Sequence, residues 1–239
     1  MMSLTRPSVW QNIWQQLIWK LSAYGQAIYT IVLMQMIFML FTFGGTGMSG
    51  GGNGTVNVQE HFYSLDFLFI ISMLSFLIIG WLLETKAFTD ENFTIVTTRF
   101  TAHASTGLFL VVLSALSTVT AISSLYIVVL LRRLIRPDEF MMSVMPFHLK
   151  SIVVFFFAMA MMGAVGYLLS SLIYTSKLYI LVIAVVGFFY IRIYGNTDKL
   201  FTFYIEGTLA SFCAKSLITV IVLYGLAILV KSNKEVRTT

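Results

Sequence analysis

Charge is scarce in this chain. Only 10% of its 239 residues are Asp, Glu, Lys or Arg, against 58% hydrophobic residues, and the mean hydropathy is +0.89. A soluble domain carries about 25% charged residues, so an aqueous fold could not hide this much apolar side chain. Cysteine is nearly absent. Cys213 stands alone in an apolar run, which excludes an intrachain disulfide and any Cys-rich metal centre. Although the net charge is +5, runs of basic residues interleaved with exposed aromatics are missing, and nucleic acid is not an expected partner. No lysine follows the glycines of Gly44 to Thr55, so they do not form a phosphate-binding loop. The start of the chain lacks a short apolar core followed by a small-residue cleavage site and is expected to be retained.

Long apolar runs dominate what remains. A helix needs about 20 mostly apolar residues to cross the hydrocarbon. Stretches near that length lie at about 24–43, 64–83, 104–131, 151–174, 178–193 and 207–230. The fifth is the shortest and relies on Tyr190 and Tyr194 as interfacial anchors. Ahead of them, over 8–23, Trp10, Ile13, Trp14, Leu17, Ile18 and Leu21 recur at helical spacing, with Gln11, Asn12, Gln15, Gln16 and Lys20 opposite. This pattern predicts an amphipathic helix lying in the membrane interface, with its tryptophans at headgroup level and Arg6 and Lys20 toward an anionic inner leaflet. The alternative is a helix packed against the bundle. The fold class expected is therefore all-α: a polytopic membrane protein with six transmembrane helices behind an interfacial helix, one domain over 1–239. Gly44 to Thr55 reads as a flexible loop outside the hydrocarbon.

With both termini cytoplasmic, six spans put eight cations inside and six outside, a weak positive-inside bias. Making the third stretch re-entrant would turn this into ten against four. That stretch has no proline and its only glycine is Gly107, so nothing in its middle would let it turn back. Six spans are preferred.

Candidate sites are few. Glu84 to Ser105, with Glu84, Lys86, Asp90, Glu91, Arg99 and His103, is the longest polar stretch between the second and third spans. Phe93, Ile95, Val96 and Phe100 give it an apolar set suited to a short helix on the membrane face, either a docking surface for a soluble partner or a solvated connector. Lys215 falls inside the sixth span, where a cation either pairs with a carboxylate or snorkels to the interface. Asp66 and Glu206 are the candidate carboxylates. The third span carries Ser105, Thr106, Ser114, Ser117, Thr118, Thr120, Ser123 and Ser124, a buried inter-helix face that could line a route through the protein. His61, His103 and His148 lie in three different connectors, which predicts no shared metal. No hydrolase constellation assembles within the spans, and an enzyme is not expected.

The order of these features resembles one family. An N-terminal interfacial helix, a span, an outer loop, a second span, a polar inner connector with Val96-Thr97-Thr98-Arg99, and four further spans with a tight Tyr174-Thr175-Ser176-Lys177 turn are similar to the ABC-2-type permeases of ATP-binding-cassette transporters. The resemblance implies a six-helix permease in a bacterial cell membrane that pairs with a second permease subunit, as a homodimer or heterodimer, and exports a substrate. A separate ATP-binding-cassette ATPase would supply the ATP chemistry and dock on the connector at Phe93, Val96, Arg99, Phe100 and His103. This chain itself would hold no cofactor. One departure is the basic stretch Arg132 to Arg136, which the family's topology places on the exterior. An ion-coupled secondary transporter would carry more carboxylates within its spans, and a non-transporting immunity or scaffold protein would need no ATPase.

Overall fold

The computed structural model describes residues 8–42, 47–52, 57–62, 66–85, 88, 99–135, 149–175, 185, 204 and 207–235. Six helices and one hairpin order these residues: α1 Val9–Ala23, α2 Gly25–Thr42, β1 Gly47–Gly52, β2 Asn57–Phe62, α3 Asp66–Leu82, α4 Arg99–Ile135, α5 Leu149–Thr175 and α6 Leu209–Glu235.

α1 starts where Ser8 and Gln11 form a reciprocal capping box. The Ser8 hydroxyl accepts from the Gln11 N–H at 3.2 Å while the Gln11 side chain accepts from the Ser8 N–H at 3.0 Å. The helix ends at Tyr24, whose N–H returns to the Lys20 carbonyl at 2.8 Å. There the chain bends by 54° into α2. Tyr24 fixes the bend by being buried against Trp19, Phe88 and Phe109, all in edge-on ring contacts.

Three helices are long and apolar enough to cross a bilayer: Phe100–Ile135, Lys150–Thr175 and Leu209–Val230. The bent pair α1–α2 makes a fourth if it counts as one span. α3 is apolar but, at 17 residues, reaches about 25 Å at the helical rise. The helical membrane class thus holds, with three to four candidate spans among the described residues. The expected fifth span, 178–193, lies outside the described residues apart from Val185. The third runs longer than expected, from Arg99 rather than 104.

α4 lies at the centre, in contact with α1, α2 and α5, while α3 packs mainly against α5 and α5 against α6. Phe76, Phe109, Leu113 and Met159 are fully enclosed between them. The tightest seam joins α3 to α5. A Cβ at Gly80 would collide with the Gly163 carbonyl, and one at Gly166 with the Leu77 carbonyl. Glycine is what lets these two backbones touch, as small residues do between membrane helices. Large apolar side chains cover much of the outside, including Leu33, Leu40, Ile70, Ile78, Val119, Leu130, Ile218 and Ile221. In water such a belt would be a liability, and hydrocarbon is the medium it fits.

The glycine-rich loop requires correction. Gly47–Gly52 is a strand, antiparallel to Asn57–Phe62, with Gly47 opposite Phe62 and Gly52 opposite Asn57. Glycine weakens a strand by roughly 0.5–1 kcal/mol per residue, but a partner strand close by in sequence supplies the backbone hydrogen bonds that composition alone does not reveal.

Candidate functional site

α1 buries one face against the bundle and leaves Trp10 and Trp14 outside. Ile13, Gln16, Leu17 and Lys20 face inward, at i, i+3, i+4 and i+7, while Trp10, Trp14 and Ile18 are more than half exposed. α1 lies on α4, and Lys20, expected toward an anionic leaflet, is instead 1% exposed inside the bundle. Its Nζ donates to the Ala102 carbonyl at 3.0 Å, the Ser105 hydroxyl at 2.8 Å and the Thr106 hydroxyl at 2.6 Å. Ser105 in turn lies 3.0 Å from Gln16 Oε1. An ammonium has three donors, and α4 meets all three.

A second set of polar groups continues from this junction. The Tyr224 hydroxyl, from α6, donates to the His103 carbonyl at 2.7 Å and also reaches Thr106. Its ring stacks on Tyr167 of α5 at 4.8 Å and has room because α4 carries only Gly107 beneath it. The Tyr167 hydroxyl lies 2.5 Å from His103 Nδ1 and also bonds the Glu84 carboxyl, which is 4% exposed just beyond the end of α3. The Tyr167 hydroxyl thus stands between His103 and Glu84, and the imidazole tautomer sets which of His103 Nδ1 and Tyr167 donates. Residues from α1, α4, α5, α6 and the α3 terminus therefore share one buried polar junction.

A separate polar knot sits deeper in the bundle. Gln35 of α2 donates to Ser72 at 3.1 Å and to Ser117 Oγ at 2.9 Å, and accepts from Thr120 at 2.5 Å. Ser114 and Thr118 are buried and donate back to the Leu110 and Ser114 carbonyls of their own helix, at 2.8 and 2.7 Å. Of the four candidate path-lining residues, Ser117 and Thr120 thus join helices, while Ser114 and Thr118 satisfy themselves locally.

The expected docking set is divided. Phe93 and Val96 lie outside the described residues; Arg99 opens α4, and Phe100 beside it is 63% exposed. His103 belongs to α4 and its Nδ1 is turned inward to Tyr167. Lys215 is half-buried on α6, while the surroundings of Asp66 and the whole of Glu206 lie outside the described residues. Among the described residues, no three His, Cys, Asp or Glu side chains gather where a metal could bind. Lys20, Gln35, Tyr167 and Tyr224 were not singled out by sequence as a site. The Ile13, Gln16, Leu17, Lys20 stripe was the available signal, since it is as regular a helical face as the tryptophan-bearing one. No family model, curated protein or solved structure matches the chain.

Proposed function

We propose that this chain is the membrane-spanning permease subunit of an ABC-2-type exporter in a bacterial cell membrane, paired with a second permease subunit and powered by a separate ATP-binding-cassette ATPase. In this reading the chain crosses the membrane six times with both termini in the cytoplasm, α3 and 178–193 completing the set. The ATPase docks on the connector between α3 and α4 at Phe93, Val96, Arg99 and Phe100.

One observation carries the proposal: both ends of that connector are fastened to the bundle, at the polar junction and at the α1–α2 bend. Glu84 and Phe88 at its start contact Tyr167 and Tyr24, and Ala102 to Thr106 just beyond its end hold Lys20. A push on the connector would reach α1, α4, α5 and α6 together, as a permease driven from outside the membrane requires. Phe100, exposed at the start of α4, offers the kind of aromatic anchor that dominates docking contacts. Ser117 and Thr120 would then sit beside the translocation path.

The experiment is affinity purification of the tagged chain from its native membranes in mild detergent. The reading expects an ATP-binding-cassette ATPase to co-purify, with ATP hydrolysis that depends on the permease. Recovery of the chain free of any ATPase, with transport driven by an ion gradient in vesicles, would replace it with a secondary transporter.

A further inference from the structure

The Lys20 ammonium sits against three oxygens of its neighbour, α4. Ala102, Ser105 and Thr106 lie within little more than one turn of α4, so their three oxygens are held by one rigid helix, and α1 contributes the cation that fills the space between them. The hydroxyl protons have acceptors elsewhere. Ser105 can donate to Gln16 Oε1 at 3.0 Å or the Ala102 carbonyl at 2.8 Å, and Thr106 donates to the Ala102 carbonyl at 3.0 Å. Both hydroxyls are thereby free to present lone pairs to Nζ.

Carbonyl and hydroxyl oxygens converging on one point are the ligands a hard monovalent cation takes when it sheds its water. A divalent ion would call for carboxylates, and none is among these oxygens. We propose that this cage is a monovalent-cation site whose resident ion is the Lys20 ammonium itself, and that α1 stays docked on α4 because its own tethered cation fills the site. Since these three oxygens belong to one helix, their arrangement survives removal of the lysine side chain. Free ammonium or K⁺, which an ammonium resembles in size and charge, then binds in its place. The proposal does not depend on which substrate the protein moves or on any ATPase.

The test is thermal unfolding of the purified full chain in detergent. Lys20→Ala unfolds at a lower temperature than the unaltered protein, and ammonium or K⁺ chloride raises its midpoint more than N-methylglucamine chloride at equal ionic strength. The unaltered protein, whose cage is filled, shows no such preference. Adding Thr106→Val to Lys20→Ala abolishes the ion response. Equal midpoints of Lys20→Ala in all three salts would overturn the proposal. Should Lys20→Ala fail to fold, Thr106→Ser and Thr106→Val are compared with Lys20 in place. The serine variant keeps the cage hydroxyl and the unaltered midpoint, whereas the valine variant loses it. Equal midpoints for the two would overturn the proposal as surely.

Discussion

Gln35 shows how a single polar residue can organise apolar helices. Its amide uses both ends, donating toward α3 and α4 and accepting from Thr120 of α4. Thr120 can fall back on its own helix, because its Oγ1 also reaches the Leu116 carbonyl at 3.0 Å. The loss on removing Gln35 is therefore set by the inter-helix bonds alone, which inside membranes average about 0.6 kcal/mol each and reach about 1.7. Gln35→Leu is expected to destabilise the protein by roughly 1–2 kcal/mol. A double-mutant cycle with Thr120→Val, read by thermal unfolding in detergent, should give a coupling near the membrane average. Additive effects would mean that Thr120 does not bond Gln35. Lys215 calls for the same logic. If it pairs with Asp66 or Glu206, Lys215→Ala is partly rescued by Asp66→Asn or Glu206→Gln; if it snorkels, neither second change restores stability.

At the scale of elements, the α3–α5 seam makes the sharpest distinction among the glycines. Gly80→Ala and Gly166→Ala would push a methyl group into a facing backbone carbonyl, so the helices must separate and lose packing along their length. Overpacking of this sort costs about 1–3 kcal/mol or more. Gly225→Ala meets nothing within 4 Å and should be neutral or stabilise α6 by up to about 1 kcal/mol through helix propensity. Midpoints of the three variants in detergent check both signs, and a loss at Gly225 equal to that at Gly80 would contradict the seam. The boundaries of α2, α3 and α5 were legible because hydropathy fixes a span to within a few residues. Two other features were not. In α1, tryptophan drew the eye to one face, yet the stripe that packs is the one whose lysine finds three oxygens on α4, and acceptors on a distant segment leave no trace in local periodicity. In β1, four glycines in Gly47–Gly52 hide a strand whose order comes from β2. The Tyr167–Tyr224 stack was hidden for a similar reason, since it joins residues of two helices through the gap left by Gly107 on a third.

For the whole molecule, the membrane class was legible from composition, whereas the polar junction was not, because it exists only once α1, α4, α5, α6 and the end of α3 come together. Topology follows from the six-span reading: with cysteine introduced in a Cys213→Ser background, positions 232 and 238 should be labelled only from the cytoplasmic side, and labelling of intact cells from outside would refute it. The claim that matters most is that an ATPase drives this chain through the α3–α4 connector. Its most direct measurement is the amount of ATP-binding-cassette subunit recovered per permease in pull-downs of Arg99→Glu and Phe100→Ala, with the exposed Leu40→Ala near the far end of α2 as control. Loss of an anchor costing about 1.4 kcal/mol weakens binding tenfold. The account therefore predicts that both connector variants lose most of the ATPase while the control retains it and all three insert normally; undiminished recovery with Arg99→Glu and Phe100→Ala would contradict it.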